Sequence, residues 1–284
     1  MLNLAVIGDP IAHSLSPAVH QSALSALGIS HTYEKVQVKK GELVSFLAYA
    51  KEKNITGFNL TMPHKVDILP FLDEMDESAQ RFQSVNTVHV VDGRLYGYNT
   101  DAGGYTEALK YSGYGFKNSR VVILGAGGVV RTLAQEAAWQ GAKSICLLNR
   151  TIEKAEEICA MVKEKTDMPI MAQPMNAKTM AEACESTDIL INGTPLGMHG
   201  VDADFKDFSF LQHLPKDALV SDLIYNPDTT QLLAKAQGQG LNTLNGLGML
   251  IYQALLADRI YTGLEFEMKA VYEIVAEKVK SILT

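Results

Sequence analysis

Along nearly the whole chain, short β-rich apolar runs alternate with longer segments whose apolar positions recur at helical spacing. The amino-terminal part reads as strand NLAVIG, helix over 17–27, strand TYEKVQV, helix over 42–53, strand ITGFNL and helix over 66–82. A hairpin follows, NTVHVV and LYGYN around Asp92 and Gly93, the Asp-Gly pair suited to a tight reversal. A connecting helix is predicted over 102–112. From Arg120 the alternation becomes stricter: VVILG, SICLLN, PIMAQ, DILING, ALVSDLI and LNTLN are separated by helical segments. Parallel strands with helical crossovers are the natural packing of that pattern. Helices over 247–261 and 266–282 close the chain. The class predicted is α/β, with a domain boundary near Asp101, because the first hundred residues and the later strands each look self-sufficient.

Composition narrows the function classes. A length of 284 residues suits one large domain or two smaller ones, and 47% hydrophobic with 20% charged residues is a composition that folds unaided. The net charge of −7 argues against a general nucleic-acid or anionic-membrane surface, so an anionic ligand must meet a local positive site. Cys146, Cys159 and Cys184 have no CxxC spacing, and the seven histidines (His13, His20, His31, His64, His89, His199, His213) show no HExxH or similar spacing. We therefore expect no metal, reduced thiols, and surface or capping roles for the histidines. The start, MLNLAVIGDP, lacks a basic region and breaks its apolar run at Gly8, Asp9 and Pro10, unlike a signal peptide. A cytoplasmic location is expected. The uncharged stretch 236–257 carries Gln237, Gln239, Asn242, Thr243 and Asn245, and reads as a strand, a loop and a buried helix rather than a membrane span.

VVILGAGGVVRTLAQEAAWQGA is an apolar strand, a turn with Gly125, Ala126, Gly127 and Gly128, and a helix. That is the setting of a dinucleotide-binding turn: Gly125 for the reversal, Gly127 for close approach of a pyrophosphate, helix amides for its charge. The third fingerprint position is Val130, where a smaller residue is usual, and a plain tight turn is the alternative. The next strand ends in Asn149, Arg150 and Thr151 with Lys154 behind. NAD-specific sites carry an acidic residue there, whereas a cation suits a 2′-phosphate, so NADP is favoured over NAD.

In GDPIAHSLSPAVHQ, Ser16 before Pro17 reads as a helix N-cap, and Ser14 with Ser16 form a pair able to hold a small carboxylate. In GFNLTMPHK, Pro63 suggests a helix start near Thr61, which puts Lys65 in or near the first turn, where the dipole disfavours an ammonium. This is either a tolerated defect or a device that eases proton exchange near neutral pH. Asp101 in GYNTDAGGY precedes a helix, where an aspartate N-cap is the common explanation.

The ordered motifs HSLSPAVH, NLTMPHK, VNTV, GYNTD, GAGGVVRT, NRT, INGTPLGM, DLIYNP and NGLGMLIYQ, spanning about residues 8 to 253, resemble those of the shikimate dehydrogenase family. The resemblance implies a mixed-sheet α/β substrate domain (1–101 plus 247–284) and a Rossmann-like doubly wound NADP domain (102–246), with a cleft between them. It implies reversible NADPH-dependent reduction of 3-dehydroshikimate to shikimate, a step towards chorismate and the aromatic amino acids. The partners expected are this small molecule and NADP, with no nucleic acid or membrane, in a monomer or homodimer.

By the same resemblance, Ser14 and Ser16 hold the substrate carboxylate, and Asn59, Thr61, Asn86 and Gln253 contact ring hydroxyls or carboxylate, with Tyr225 nearby. Lys65 and Asp101 become the catalytic pair. Gly125, Ala126, Gly127, Gly128, Asn149, Arg150, Thr151 and Lys154 bind NADP, with Gly246 and Met249 beside the nicotinamide. Departures from the family pattern are Gln21, SVNTV, INGTP and Val130, the last bulkier than usual and able to displace the cofactor helix slightly. An NAD-using quinate/shikimate dehydrogenase would tend to carry an acid near position 149 and to change one serine. A silent nucleotide-sensing module would need neither Lys65 nor Asp101.

Overall fold

The computed structural model describes residues 1–283. In chain order the elements are β1 (Leu2–Gly8), α1 (Ser16–Ala26), β2 (His31–Gln37), α2 (Leu43–Glu52), β3 (Gly57–Leu60), α3 (His64–Asp67), β4 (Glu74–Met75), α4 (Glu77–Phe82), β5 (Thr87–Val91), β6 (Arg94–Tyr98) and α5 (Asp101–Tyr111). They continue with β7 (Arg120–Leu124), α6 (Gly128–Trp139), β8 (Ser144–Asn149), α7 (Ile152–Lys163), β9 (Ile170–Pro174), α8 (Ala177–Cys184), β10 (Ile189–Asn192), β11 (Leu219–Asp222), α9 (Gln231–Gly238) and β12 (Asn242–Leu244). The chain ends with α10 (Leu247–Thr262) and α11 (Met268–Leu283). Two compact units result, Met1–Gly104 with Leu250–Ile282, and Tyr105–Met249.

The first unit holds a mixed sheet of order β2-β1-β3-β5-β6-β4. β1 runs parallel to β2 and β3, and β5 is antiparallel to β3 and β6. β1 is apolar without interruption from Leu4 to Ile7 because alternate side chains enter two cores. Leu4 and Val6 pack with Leu24, Tyr33, Ala257 and Tyr261, while Ala5 and Ile7 pack with Phe46, Phe58, Leu60 and Ile68. The register Ile7↔Leu60 brings the carboxyl ends of β1 and β3 side by side. Thr61 N–H bonds Ile7 O at 3.0 Å and Asp9 N–H bonds Met62 O at 3.0 Å, so the GDPIAHSLSP and TMPHK loops leave the sheet together.

The hairpin turns as its sequence implies: Asp92 and Gly93 have φ of 50° and 77° between the paired Val91 and Arg94. The helix predicted over 66–82 is not continuous. Pro70 lacks the N–H a helix interior needs, and the segment divides into α3, a tight turn at Leu69–Phe71, the two-residue β4 paired with β6, and α4. Asp76 starts α4 afresh by accepting from Ala79 N–H at 2.9 Å.

The second unit is a wholly parallel sheet of order β12-β11-β10-β7-β8-β9. Counted within this unit, that is the doubly wound order, with the reversal between β7 and β10. Val121 and Ile123 face a core with Leu133, Ala137 and Ile158 of α6 and α7. Val122 and Leu124 face one with Met180, Leu232 and Leu233 of α8 and α9. Each fully buried aliphatic side chain here contributes about 1.5–3 kcal/mol.

Candidate active site

In the first unit Lys65 and Asp101 meet: Lys65 Nζ donates to Asp101 Oδ2 at 2.6 Å, with the side chains 24% and 10% exposed. Asn86 Nδ2 donates to the other carboxylate oxygen at 2.9 Å and reaches Gln253 Oε1 at 3.3 Å. Asn59 joins through Thr87, whose hydroxyl accepts from Asn59 Nδ2 at 3.1 Å and donates to Asn86 Oδ1 at 3.2 Å. Asn59, Asn86 and Asp101 are buried. Such a cluster keeps an ammonium, a carboxylate and several amides satisfied while leaving the lysine partly open to solvent, the requirement for proton exchange.

Local structure revises three expectations. α3 is a single turn, so the electrostatics around Lys65 are set by the Asp101 carboxylate rather than by a helix dipole. Asp101 is no N-cap: it is the first residue of α5, whose first turn closes from Gly104 N–H onto Thr100 O at 2.9 Å, and its carboxylate serves Lys65 and Asn86. Ser16 is likewise the first residue of α1 and not its cap. Ser14 Oγ accepts from Ser16 N–H at 3.2 Å and donates to Ser16 Oγ at 3.2 Å, so the two hydroxyls form a pair at the helix start. Thr61 lies in the adjoining loop, its methyl against Gly8, where a Cβ would come within 2.3 Å.

The glycine turn of the second unit is built as its motif implies. Gly125 has φ +105°, and a Cβ there would sit 3.0 Å from Gly193 O, so the turn excludes other residues. Gly127 and Gly128 open α6 with free space where a side chain would stand, as a backbone that receives a pyrophosphate requires. Ala126 lies between Gly125 and Gly127, half-buried against the core. Beyond β8, Asn149 Nδ2 donates to Thr151 O at 2.7 Å, and Thr151 occupies the N-cap of α7. Arg150 and Lys154 are exposed, and neither meets a carboxylate among the described residues. Two unneutralised cations at the end of the second strand fit a 2′-phosphate.

Val130 packs into space that Gly193 leaves open. It is fully buried with its Cγ2 where a Cβ of residue 193 would lie, 2.3 Å from that position, so glycine in INGTP makes room for valine in GVV. Tyr225 follows β11 in this unit, half-buried, and burial pushes its hydroxyl up. Gly246 packs its backbone on Leu223 O, where a Cβ would come within 2.1 Å, and Met249 packs against the α6-side core.

Other residues take roles that their motifs did not assign. His20 and His64 are fully buried, against the expectation of surface or capping roles. His64 Nε2 pairs with Val38 O at 2.6 Å, and His20 Nδ1 with Asp258 Oδ1 at 2.6 Å. A lone acid within the apolar stretch of α10 was the available signal for the second pair. Thr87 and Thr100, inside VNTV and GYNTD, connect the polar cluster together with Tyr33, which lies outside every quoted motif. Burial pushes the Cys146 thiol up to about 11 and Cys184 to about 12, which keeps both protonated and unreactive. Among the described residues no three His, Cys, Asp or Glu side chains converge as a metal site, and no helix is long and apolar enough to cross a membrane.

The chain is similar to known proteins over nearly its whole length. Residues 6–88 match the model of the shikimate dehydrogenase substrate binding domain, and residues 107–201 that of shikimate / quinate 5-dehydrogenase. The shikimate dehydrogenase (NADP(+)) of Alkaliphilus oremlandii is 40% identical over 258 residues, 90% of each chain. The shikimate 5-dehydrogenase of Thermus thermophilus, solved in complex with NADP(H) and shikimate, is 34% identical over 98% of this chain and 100% of its own, with TM-score 0.83. The ligand-free 5-ketofructose reductase of Gluconobacter sp. strain CHM43 is 33% identical over 97% of this chain and 98% of its own, with TM-score 0.85.

Proposed function

The chain belongs to the shikimate dehydrogenase family, and on that footing we infer that it catalyses the reversible NADPH-dependent reduction of 3-dehydroshikimate to shikimate. The observation that carries this reading is the Lys65–Asp101 contact, braced by Asn86 on the second carboxylate oxygen. NADPH, when bound, supplies the hydride that adds to the substrate's carbonyl carbon. Lys65 gives a proton to the oxygen that gains charge, and is reprotonated from solvent through its partly exposed side chain. Asp101 holds the ammonium in place, and the two exchange protons as a coupled pair; in oxidation the pair takes the hydroxyl proton instead.

Ser14 and Ser16 hold the substrate carboxylate, and Asn59, Thr61, Asn86 and Gln253 contact ring hydroxyls or carboxylate, with Tyr225 assigned a further substrate contact. Gly125, Ala126, Gly127 and Gly128 carry the pyrophosphate, and Arg150 and Lys154, with Asn149 and Thr151, the 2′-phosphate. Gly246 and Met249 border the nicotinamide. Residues 1–101 plus 247–284 serve the substrate and 102–246 the cofactor. Three free cysteines suit the cytoplasm, and the protein acts there as a monomer or homodimer without nucleic acid or membrane.

Purified protein should reduce NADP rapidly with shikimate and give little rate with quinate or with NAD. Lys65→Ala should lower kcat by about 10²- to 10⁴-fold with KM for shikimate little changed. Near-full turnover of that variant would remove the proton-transfer assignment.

A further inference from the structure

Among the hydrogen bonds behind Asp101, one series runs in a single direction. Tyr33 O–H donates to Asn59 Oδ1 at 2.7 Å, and Asn59 Nδ2 donates to Thr87 Oγ1 at 3.1 Å. Thr87 Oγ1 donates to Asn86 Oδ1 at 3.2 Å, and Asn86 Nδ2 donates to Asp101 Oδ1 at 2.9 Å. All five residues are buried, with Thr87 fully so, and solvent supplies no substitute for a lost link.

The direction is not arbitrary. Asn59 Nδ2 also reaches the carbonyl of Asn86 at 3.3 Å, and a carbonyl only accepts, so the nitrogen must face β5 and the oxygen must face Tyr33. At the other end Thr100 N–H donates to Asn86 Oδ1 at 2.8 Å, which leaves the Asn86 nitrogen for the carboxylate. Tyr33 itself is fixed by its ring. It stacks on His20 at 4.6 Å and 15°, and His20 is held by Asp258 at 2.6 Å, both fully buried. Burial pushes the Tyr33 hydroxyl well up, so it remains a donor throughout the neutral range.

We propose that Tyr33 is a remote positioning residue for the Lys65–Asp101 pair, acting through a head-to-tail chain of donors, Tyr33 to Asn59 to Thr87 to Asn86, that ends on the Asp101 carboxylate. The proposal rests on the reading of Lys65 and Asp101 as the proton-transferring pair. Removal of the first donor loosens the Asn59 amide, which weakens its contact on Thr87 and with it the Asn86 contact that holds Asp101 in line with Lys65. Chains of this kind polarise one another, so the far end feels the loss.

The test is a double-mutant cycle with Tyr33→Phe, which removes one hydroxyl and keeps the stack on His20, and Thr87→Val, which breaks the chain midway with little change of shape. Steady-state kinetics with shikimate and NADP are measured for both, for the double variant and for Lys65→Ala, with thermal unfolding as the control for folding. Tyr33→Phe should lower kcat about 3- to 10-fold, the rate equivalent of about one net hydrogen bond, with KM for NADP unchanged. In the Thr87→Val background the same change should have no further effect on kcat. An unchanged kcat in Tyr33→Phe, or losses that multiply in the double variant, would overturn the proposal. If Lys65→Ala keeps its turnover, the catalytic reading beneath it fails instead. If Lys65→Ala is inactive and Tyr33→Phe is normal, only the remote positioning fails.

Discussion

Replacing Gly193 with alanine puts a methyl group where Val130 already sits. The new Cβ lies 2.3 Å from Val130 Cγ2 and 3.2 Å from Leu124 O. Ordinary carbon contacts are about 3.5–4.0 Å, so one partner must move by roughly 1 Å. The backbone of β7 blocks retreat on one side, and Val130 is enclosed in the core on the other. Overpacking of this kind costs about 1–3 kcal/mol, and each kcal/mol lowers the melting temperature of a domain this size by roughly 2–4 °C. Val130 stands in the first turn of α6, just after Gly127 and Gly128, so the displaced helix should also raise KM for NADP.

The same contact predicts rescue. Val130→Ala alone loses about 2 kcal/mol of buried aliphatic packing, but in the Gly193→Ala background it removes the clash. The double variant should be less destabilised than the sum of the singles by about 1–2 kcal/mol, with KM for NADP restored towards its original value. Thermal and urea unfolding of the four proteins, with NADP titrations, measure both quantities. Additive destabilisation, or a Gly193→Ala protein as stable as the parent, would show that valine and glycine do not compensate one another.

Two other outcomes follow from the second unit. Arg150→Ala should raise KM for NADP by roughly 10- to 100-fold, the loss of a charge-assisted phosphate contact, while KM for NAD stays constant; equal effects on both would refute the 2′-phosphate role. Burial pushes the Asp222 carboxyl up to about 6 against hydrogen bonds from Thr230, Ile224 and Asn192. The folded state therefore holds this proton more tightly than the unfolded state, and its contribution to stability is full below the ordinary value of 3.8 and is lost as pH rises through about 6. The loss amounts to roughly 2–3 kcal/mol, and Asp222→Asn should flatten that part of the stability profile in urea unfolding.

Periodicity and turn chemistry made most of the fold legible. The Asp92–Gly93 hairpin and the parallel strands of the second unit needed only local rules, because their backbone conformations follow from residue type and from continuous apolar runs. The segment 66–82 misled because amphipathic spacing persists across Pro70, while pairing of β4 with β6 depends on a strand some twenty residues away. Ser16 and Asp101 misled in the same manner: a favoured capping residue was visible, whereas local propensity says nothing of its partner, and only the resemblance paired Asp101 with Lys65.

What the sequence by itself determined locally is therefore the elements, the glycine turn and the cation pair after β8, all properties of neighbours along the chain. The polar residues near Lys65 were named by the resemblance of the ordered motifs and not by any local pattern. Only the tertiary structure decided that Lys65 lies on Asp101 and not on a helix dipole, that Gly193 accommodates Val130, and that Tyr33 heads a donor chain ending at the same carboxylate. Each of those depends on atoms brought within a few ångströms by sheet register and helix packing, across separations at which local propensity carries no information.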